Sequence, residues 1–278
     1  MNIGLSLSPS LLCGRPESVP QQQLLSSSGG VQGWLRRVRE AGCTHIELRT
    51  VRPDTAPETI RLSAQAVFSA GLHLSVHGTL ADEPAEAFWG RLQSVLSVQP
   101  ELAITVHSLS ARKDTLLLLQ RMGQYAAFHH PSARIALENN RSKPGDRLPL
   151  VGCTGILETV ERLNLPNVGI CWDFGHFCWN RMAHPSLVPA DLPPEAFLRR
   201  VIHTHIHSVL DGSTHFPLTM GELPLNEYLL ALSHAGYKGI YNLEPEPERW
   251  ADSVLPDREI LASSVLLAGF MHQIKFSS

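Results

Sequence analysis

The chain of 278 residues predicts a single (β/α)8 barrel, and three observations carry that expectation. Short apolar, β-prone runs alternate with helix-period stretches, and this alternation builds a parallel sheet with helices outside it. Eight such units follow one another without the shift in composition that marks a domain boundary. Several runs also end in a histidine or a carboxylate, at the end of the strand where barrels carry their functional groups.

The first strand spans residues 2–8, where apolar and small polar residues alternate. Residues 9–30, rich in Ser, Pro, Gln and Gly, read as a long loop and a candidate lid. Val31, Leu35 and Val38 have helical spacing, and Gly42 ends that helix. The second strand is Thr44–Arg49, with a helix over 56–70 closed by Gly71. The third, Leu72–His77, sets His73, Ser75 and His77 on one face by the period of two. A helix over 83–97 leads to Leu102–His107, and one over 113–128 leads to Arg134–Glu138. A polar turn from Asn139 to Gly145 and a helix over 150–163 precede the sixth strand, 168–173. Residues 180–194 form a second long, proline-bearing loop before a short helix near 195–200. The seventh strand, Val201–His207, places His203, His205 and His207 on one face. A loop with Asp211, His215 and Glu222, a helix over 224–235, the eighth strand Gly239–Glu244 and a helix over 257–273 complete the chain.

Composition narrows the function. Hydrophobic residues make up 43% of the chain, enough for a sizeable core. A formal net charge of −3 argues against a general binder of nucleic acid or of membrane surfaces. No apolar run is long enough to span a bilayer. The N-terminus lacks a charged region followed by an apolar stretch, so no signal peptide is expected. The five cysteines are odd in number and include no CxxC pair, which implies reduced thiols and a cytoplasmic setting.

The strand ends carry the chemistry. His77, His107, Glu138, Asp173, His205 and Glu244 fall at equivalent ends of successive predicted strands. Buried together, such groups repel or desolvate one another unless a cation holds them. Glu138, Asp173, His205 and Glu244 form a mixed oxygen and nitrogen set suited to Mn, Mg, Co or Zn. His77 and His107 could complete a second site sharing Glu138. Taken one at a time, a histidine at a strand end is more often a hydrogen-bonded polar residue, and an acid before a helix is often an N-cap. It is the repetition that favours a site. His203 and His207 read as inward-facing residues bonded to neighbours rather than as ligands.

Five segments carry a resemblance: Ala136–Asn140, Gly169–His176, His203–His205, the Gly221-Glu222 turn and Leu243-Glu244. Together the chain resembles the xylose-isomerase-like TIM-barrel superfamily, which includes sugar epimerases and isomerases, inosose dehydratase and endonuclease IV. The resemblance implies a metal-dependent sugar or sugar-phosphate isomerase or epimerase working through an enediolate. In that reading Glu138, Asp173, His205 and Glu244 hold one divalent metal, Glu138 and Glu244 move the proton, and His176 contacts substrate oxygen. A homodimer would be usual for such an enzyme. The resemblance also implies alternatives: a dehydratase of the inosose or dehydroshikimate type, or a nuclease with a second or third zinc. The nuclease pattern would use His77, His107, His176 and His215 as further ligands. Its aspartate two residues before His215 is Ser213 here. Arg15 and Arg52 are the only bases in residues 9–30, 50–57 and 78–84, poor equipment for gripping a duplex, so nucleic acid is not the expected partner. Two departures from the epimerases are Ser208, where an acidic residue is usual, and Leu223 after Gly221-Glu222.

Overall fold

A computed structural model describes residues 2–109, 111–142, 152–186, 188, 190–252 and 254–277, the last three of these as backbone. Seven barrel strands come first: β1 (Asn2–Leu7), β2 (His45–Val51), β3 (His73–Gly78), β4 (Ala103–His107), β5 (Arg134–Glu138), β6 (Val168–Asp173) and β7 (Val201–Ile206). A hairpin of β8 (Ser208–Leu210) and β9 (Ser213–Phe216) follows, then the eighth barrel strand, β10 (Ile240–Leu243). The barrel is closed and parallel in the order β1-β10-β7-β6-β5-β4-β3-β2, so the (β/α)8 prediction holds.

The helices are α1 (Pro9–Leu12), α2 (Val19–Ser26), α3 (Val31–Glu40), α4 (Pro57–Ser69), α5 (Ala85–Arg91), α6 (Gln93–Leu96), α7 (Arg112–His129), α8 (Cys153–Leu163), α9 (Phe174–Ala183), α10 (Glu195–Leu198), α11 (Leu225–His234) and α12 (Pro256–Ser277). No helix among the described residues is long and apolar enough to cross a membrane.

Three segments differ from the sequence reading. Residues 9–30 carry α1 and α2 instead of a continuous loop. Ser8 and Ser18 cap them by accepting the Leu11 and Gln21 N–H groups, and Pro9 and Pro20 stand in the first turns. Serine followed closely by proline is a helix start as well as a loop marker. Residues 180–183 are the last turn of α9, so the second long loop begins at His184; residues 187 and 189 lie outside the described set. The loop after β7 is a hairpin turned by Asp211 and Gly212, both at positive φ (49° and 72°). Such an Asp-Gly pair suits a two-residue hairpin turn. Residues 143–145 of the polar turn and 150–151 of the expected helix also lie outside the described residues.

Strand alternation sorts the chemistry. On β6, Trp172 points outward into an aromatic cluster with Phe174, Phe177, Phe197 and Tyr228. Its neighbours Cys171 and Asp173 therefore face the barrel axis. The same alternation turns Ser6, Glu47, Ser75, His77, Thr105, Glu138, His203, His205, Asn242 and Glu244 inward, all buried. The axis of this barrel is polar, and the apolar core is the layer between strands and helices.

Candidate active site

Strand register brings the candidates together at one end of the barrel. Asp173 pairs with His205, Asn242 with His205, and Glu138 with His107 across adjacent strands. As a result Glu138, Asp173, His205 and Glu244 each offer a donor atom, all within 4.8 Å of one another. A second group, His77, His107 and Glu138, meets the same distance limit, as does a third of His176, His207 and His215. Every residue singled out in the sequence thus reaches one cluster. His107 alone is substantially exposed, at 47% of its side chain.

The residues fit a cation. His205 Nε2 lies 3.0 Å from Glu47 Oε1 and donates to that carboxylate, which leaves Nδ1 aimed at the acids. Nδ1 is 3.1 Å from Glu138 Oε2 and 3.4 Å from Glu244 Oε2. Yet His205 Nδ1, both Glu138 oxygens and Glu244 Oε2 are buried without an aligned hydrogen bond. Buried polar atoms of this kind are costly unless something satisfies them. Carboxylates and an imidazole nitrogen, each holding an unused lone pair toward a common point, make a divalent-cation donor set.

The charges tell the same story. Burial alone would raise Glu138 and Glu244. The fields of His107 and His205 at Glu138, and that of His205 with the His77 hydrogen bond at Glu244, outweigh it and hold both carboxyls well below the usual range. Burial works to lower His205, but Cys171, Glu244, Glu47 and Glu138 drive its imidazole well above its ordinary value. His77 and His176 are raised likewise, against their burial, by the hydrogen bond to Glu244 and by the charge of Asp173 respectively.

Supporting contacts fix this arrangement. Glu47, inside the second strand and not among the residues singled out from the sequence, lies beneath His205. It accepts from Ser6 Oγ (2.8 Å), Asn242 Nδ2 (3.1 Å) and His203 Nε2 (2.9 Å) as well as from His205. A charged residue inside the Ile46–Leu48 run was the available signal. His207 has both nitrogens engaged: Nδ1 accepts the His215 N–H (3.0 Å), so Nε2 carries the proton and donates to Asp173 Oδ2 (3.1 Å). His203 and His207 are thus inward residues bonded to neighbours, as their spacing suggested. Asp173 Oδ1 also accepts the His176 N–H at 2.6 Å, which caps α9. Gly175 makes room for this. A Cβ there would lie 2.0 Å from His207 Cε1.

A recess of about 300 Å³ opens above the cluster, with His77, His107, His176, His215 and Glu244 at its floor and Arg49, Arg141 and Arg249 around its mouth. The sequence reading passed over these arginines because they are far apart in the chain. Thr50, also on the rim, has φ 59°, a strained value for a β-branched residue and one that turns the end of β2.

A family model described as xylose isomerase-like TIM barrel matches residues 35–263. The chain belongs to that family. Solved structures with the same fold include D-psicose 3-epimerase from Clostridium cellulolyticum H10, crystallised with D-tagatose. It is 14% identical with TM-score 0.65, over 96% of this chain and 99% of that one. An L-ribulose 3-epimerase gives 12% identity and TM-score 0.65, over 100% and 97% of the two chains. The 3-keto-D-glucoside 4-epimerase of E. coli gives 14% and 0.59, over 86% and 94%. Among curated proteins, an uncharacterized protein of Methanocaldococcus jannaschii is 33% identical over 84 residues, 29% of this chain and 31% of that protein. The alignment therefore spans less than a third of that relative. These likenesses establish the barrel; the residues at its mouth carry the chemistry.

Proposed function

We propose that this xylose isomerase-like barrel is a divalent-metal-dependent isomerase or epimerase of a sugar or sugar phosphate. The observation that supports it is the buried set Glu138, Asp173, His205 and Glu244, which offers four donor atoms within 4.8 Å of one another, those of Glu138, His205 and Glu244 including atoms with no hydrogen bond of their own. These four residues would hold the ion. When bound, it would polarise a ketose carbonyl and acidify the neighbouring C–H.

The chain's own groups then divide the work. Glu138 and Glu244 stand on β5 and at the end of β10, separated by β6 and β7 along the barrel wall. From there the two carboxylates remove a proton and return one at the carbon next to the carbonyl. His77 Nδ1, hydrogen-bonded to Glu244 Oε1 at 3.3 Å, orients that acid, and His107 Nε2 stands 3.2 Å from Glu138 Oε2. His176 and His215 line the recess, where they meet substrate hydroxyls. Burial of the carboxylates keeps water from competing for the proton.

A second reading, a phosphodiesterase with more than one zinc ion, draws on the further donor group His77, His107 and Glu138. The third group supports it less well, because His207 spends both nitrogens on His215 and Asp173. Elemental analysis of protein purified without chelator separates the readings. One Mn, Co, Mg or Zn per chain supports the isomerase, and two or three zinc ions per chain support the nuclease. For the proton pair, Glu244→Gln should lower exchange of ketose hydrogen with deuterated solvent by about 100-fold or more. Full exchange in the variant would remove Glu244 from the mechanism.

A further inference from the structure

We propose that the sugar taken by this site carries an anionic terminus, a phosphate ester or a carboxylate, bound by Arg49, Arg141 and Arg249 at the mouth of the barrel. The inference rests on the isomerase or epimerase reading of the donors below and adds the class of substrate.

Three guanidinium groups from distant parts of the chain, the end of β2, the segment after β5 and the segment after β10, line one recess of about 300 Å³. Apart from Glu244 in the buried cluster, the only carboxylate lining it among the described residues is Glu246. That acid is shared, pairing with both Arg49 and Arg249, while Arg49 Nε also lies 3.7 Å from Glu244 Oε1. Arg141 pairs with no carboxylate among the described residues. Its contacts are the Thr214 hydroxyl at 3.4 Å and the face of Trp179, 5.4 Å from the ring centre. Burial, then the charges of Arg141 and Arg49, lower the Arg249 guanidinium from its usual value, so the groups feel one another's fields.

Positive charge is therefore gathered at one opening of a chain whose net charge is −3. A neutral sugar gives these groups nothing to neutralise. A phosphate or carboxylate matches the flat donor fork of arginine and relieves the mutual repulsion. The depth order is also right for a small sugar, with the carbonyl end over the acids at the floor and the anionic end at the rim. A recess of this size closes around a monosaccharide derivative, whereas a duplex needs a row of bases along the outer loops.

The test is calorimetry on chelator-treated protein, so that no metal contributes to anion binding. The probes are inorganic phosphate, D-fructose 6-phosphate, 2-keto-D-gluconate and D-fructose. At least one anionic sugar should bind tenfold or more tighter than D-fructose. Arg141→Gln and Arg249→Gln should each weaken that binding about 10- to 100-fold, the range for a charge-assisted hydrogen bond. Tighter binding of the ester, together with inorganic phosphate, assigns a phosphate terminus; tighter binding of the acid assigns a carboxylate. Equal binding of D-fructose and both anionic sugars would overturn the proposal. So would undiminished anion binding in both variants, or cleavage of an abasic-site duplex by the zinc-loaded protein. Deuterium exchange into neutral ketoses with no anion preference would keep the isomerase reading and remove this one. Arginine-dependent anion binding with no exchange into any ketose would do the reverse.

Discussion

Glu47 offers a sharp test of how the site is held. Its buried carboxylate receives hydrogen bonds from Ser6, Asn242, His203 and His205. Charge fixes the direction of all four, because an ionised carboxylate only accepts. In Glu47→Gln the shape is kept, but one oxygen becomes an NH2 that meets the N–H of His203 or His205. One imidazole must then flip its proton to the other nitrogen or turn away. If His205 does so, its Nδ1 no longer presents a lone pair toward Glu138 and Glu244. Losing a charged hydrogen bond costs about 1.5–3 kcal/mol. A partner lost behind a metal-binding histidine typically costs 10- to 100-fold in metal affinity. The expected outcome is a Kd for Mn²⁺ raised by about that factor in titration calorimetry, with urea unfolding showing a loss of about 2 kcal/mol. Glu47→Asp, which keeps the charge, should recover part of the metal affinity. Wild-type metal affinity in Glu47→Gln would refute the idea that Glu47 sets the orientation of His205.

Two further outcomes can be measured. Gly175→Ala places a methyl group 2.0 Å from His207 Cε1. It should destabilise the fold by about 1–3 kcal/mol and weaken metal binding, because His207 is pushed off Asp173; a variant of unchanged Tm and metal affinity would contradict that packing. His45, lowered to about 4 by burial and then by the charges of His73 and His203, gives a pH signature. Between pH 4 and its ordinary value near 6.5 the unfolded chain takes up the proton and the folded chain does not. Stability from neutral His45 is therefore complete above about pH 6.5 and is lost as pH falls toward 4. His45→Gln should flatten urea-derived stability across that window, by less than the roughly 1.4 kcal/mol per pH unit of one full proton. An unchanged slope would contradict the His45 shift.

The sequence by itself determined the barrel and the rim. Short, β-prone apolar runs such as Val168–Asp173 read as strands covered on both sides, and eight of them in alternation with helices close on one another. Because side chains alternate with a period of two, the face of each strand was legible. Glu138, Asp173, His205 and Glu244 could be placed at one end before any coordinates were known. The Ser-Pro starts of α1 and α2 and the Asp211-Gly212 turn were also present in the sequence, but their residue types serve loops equally well.

What only the tertiary structure decided is which atoms meet. Glu47 and His205 are 158 positions apart in sequence, yet their side chains share a hydrogen bond across the barrel axis. Arg49, Arg141 and Arg249 carry no pattern in the chain and become a group only where β2, β5 and β10 end at one mouth. The reason is physical. Periodicity reports the direction a side chain takes from its own strand, whereas distance across a closed barrel depends on the stagger of every strand between. The strand pattern fixed the ends of the elements; closure of the barrel brought those ends within reach of one another.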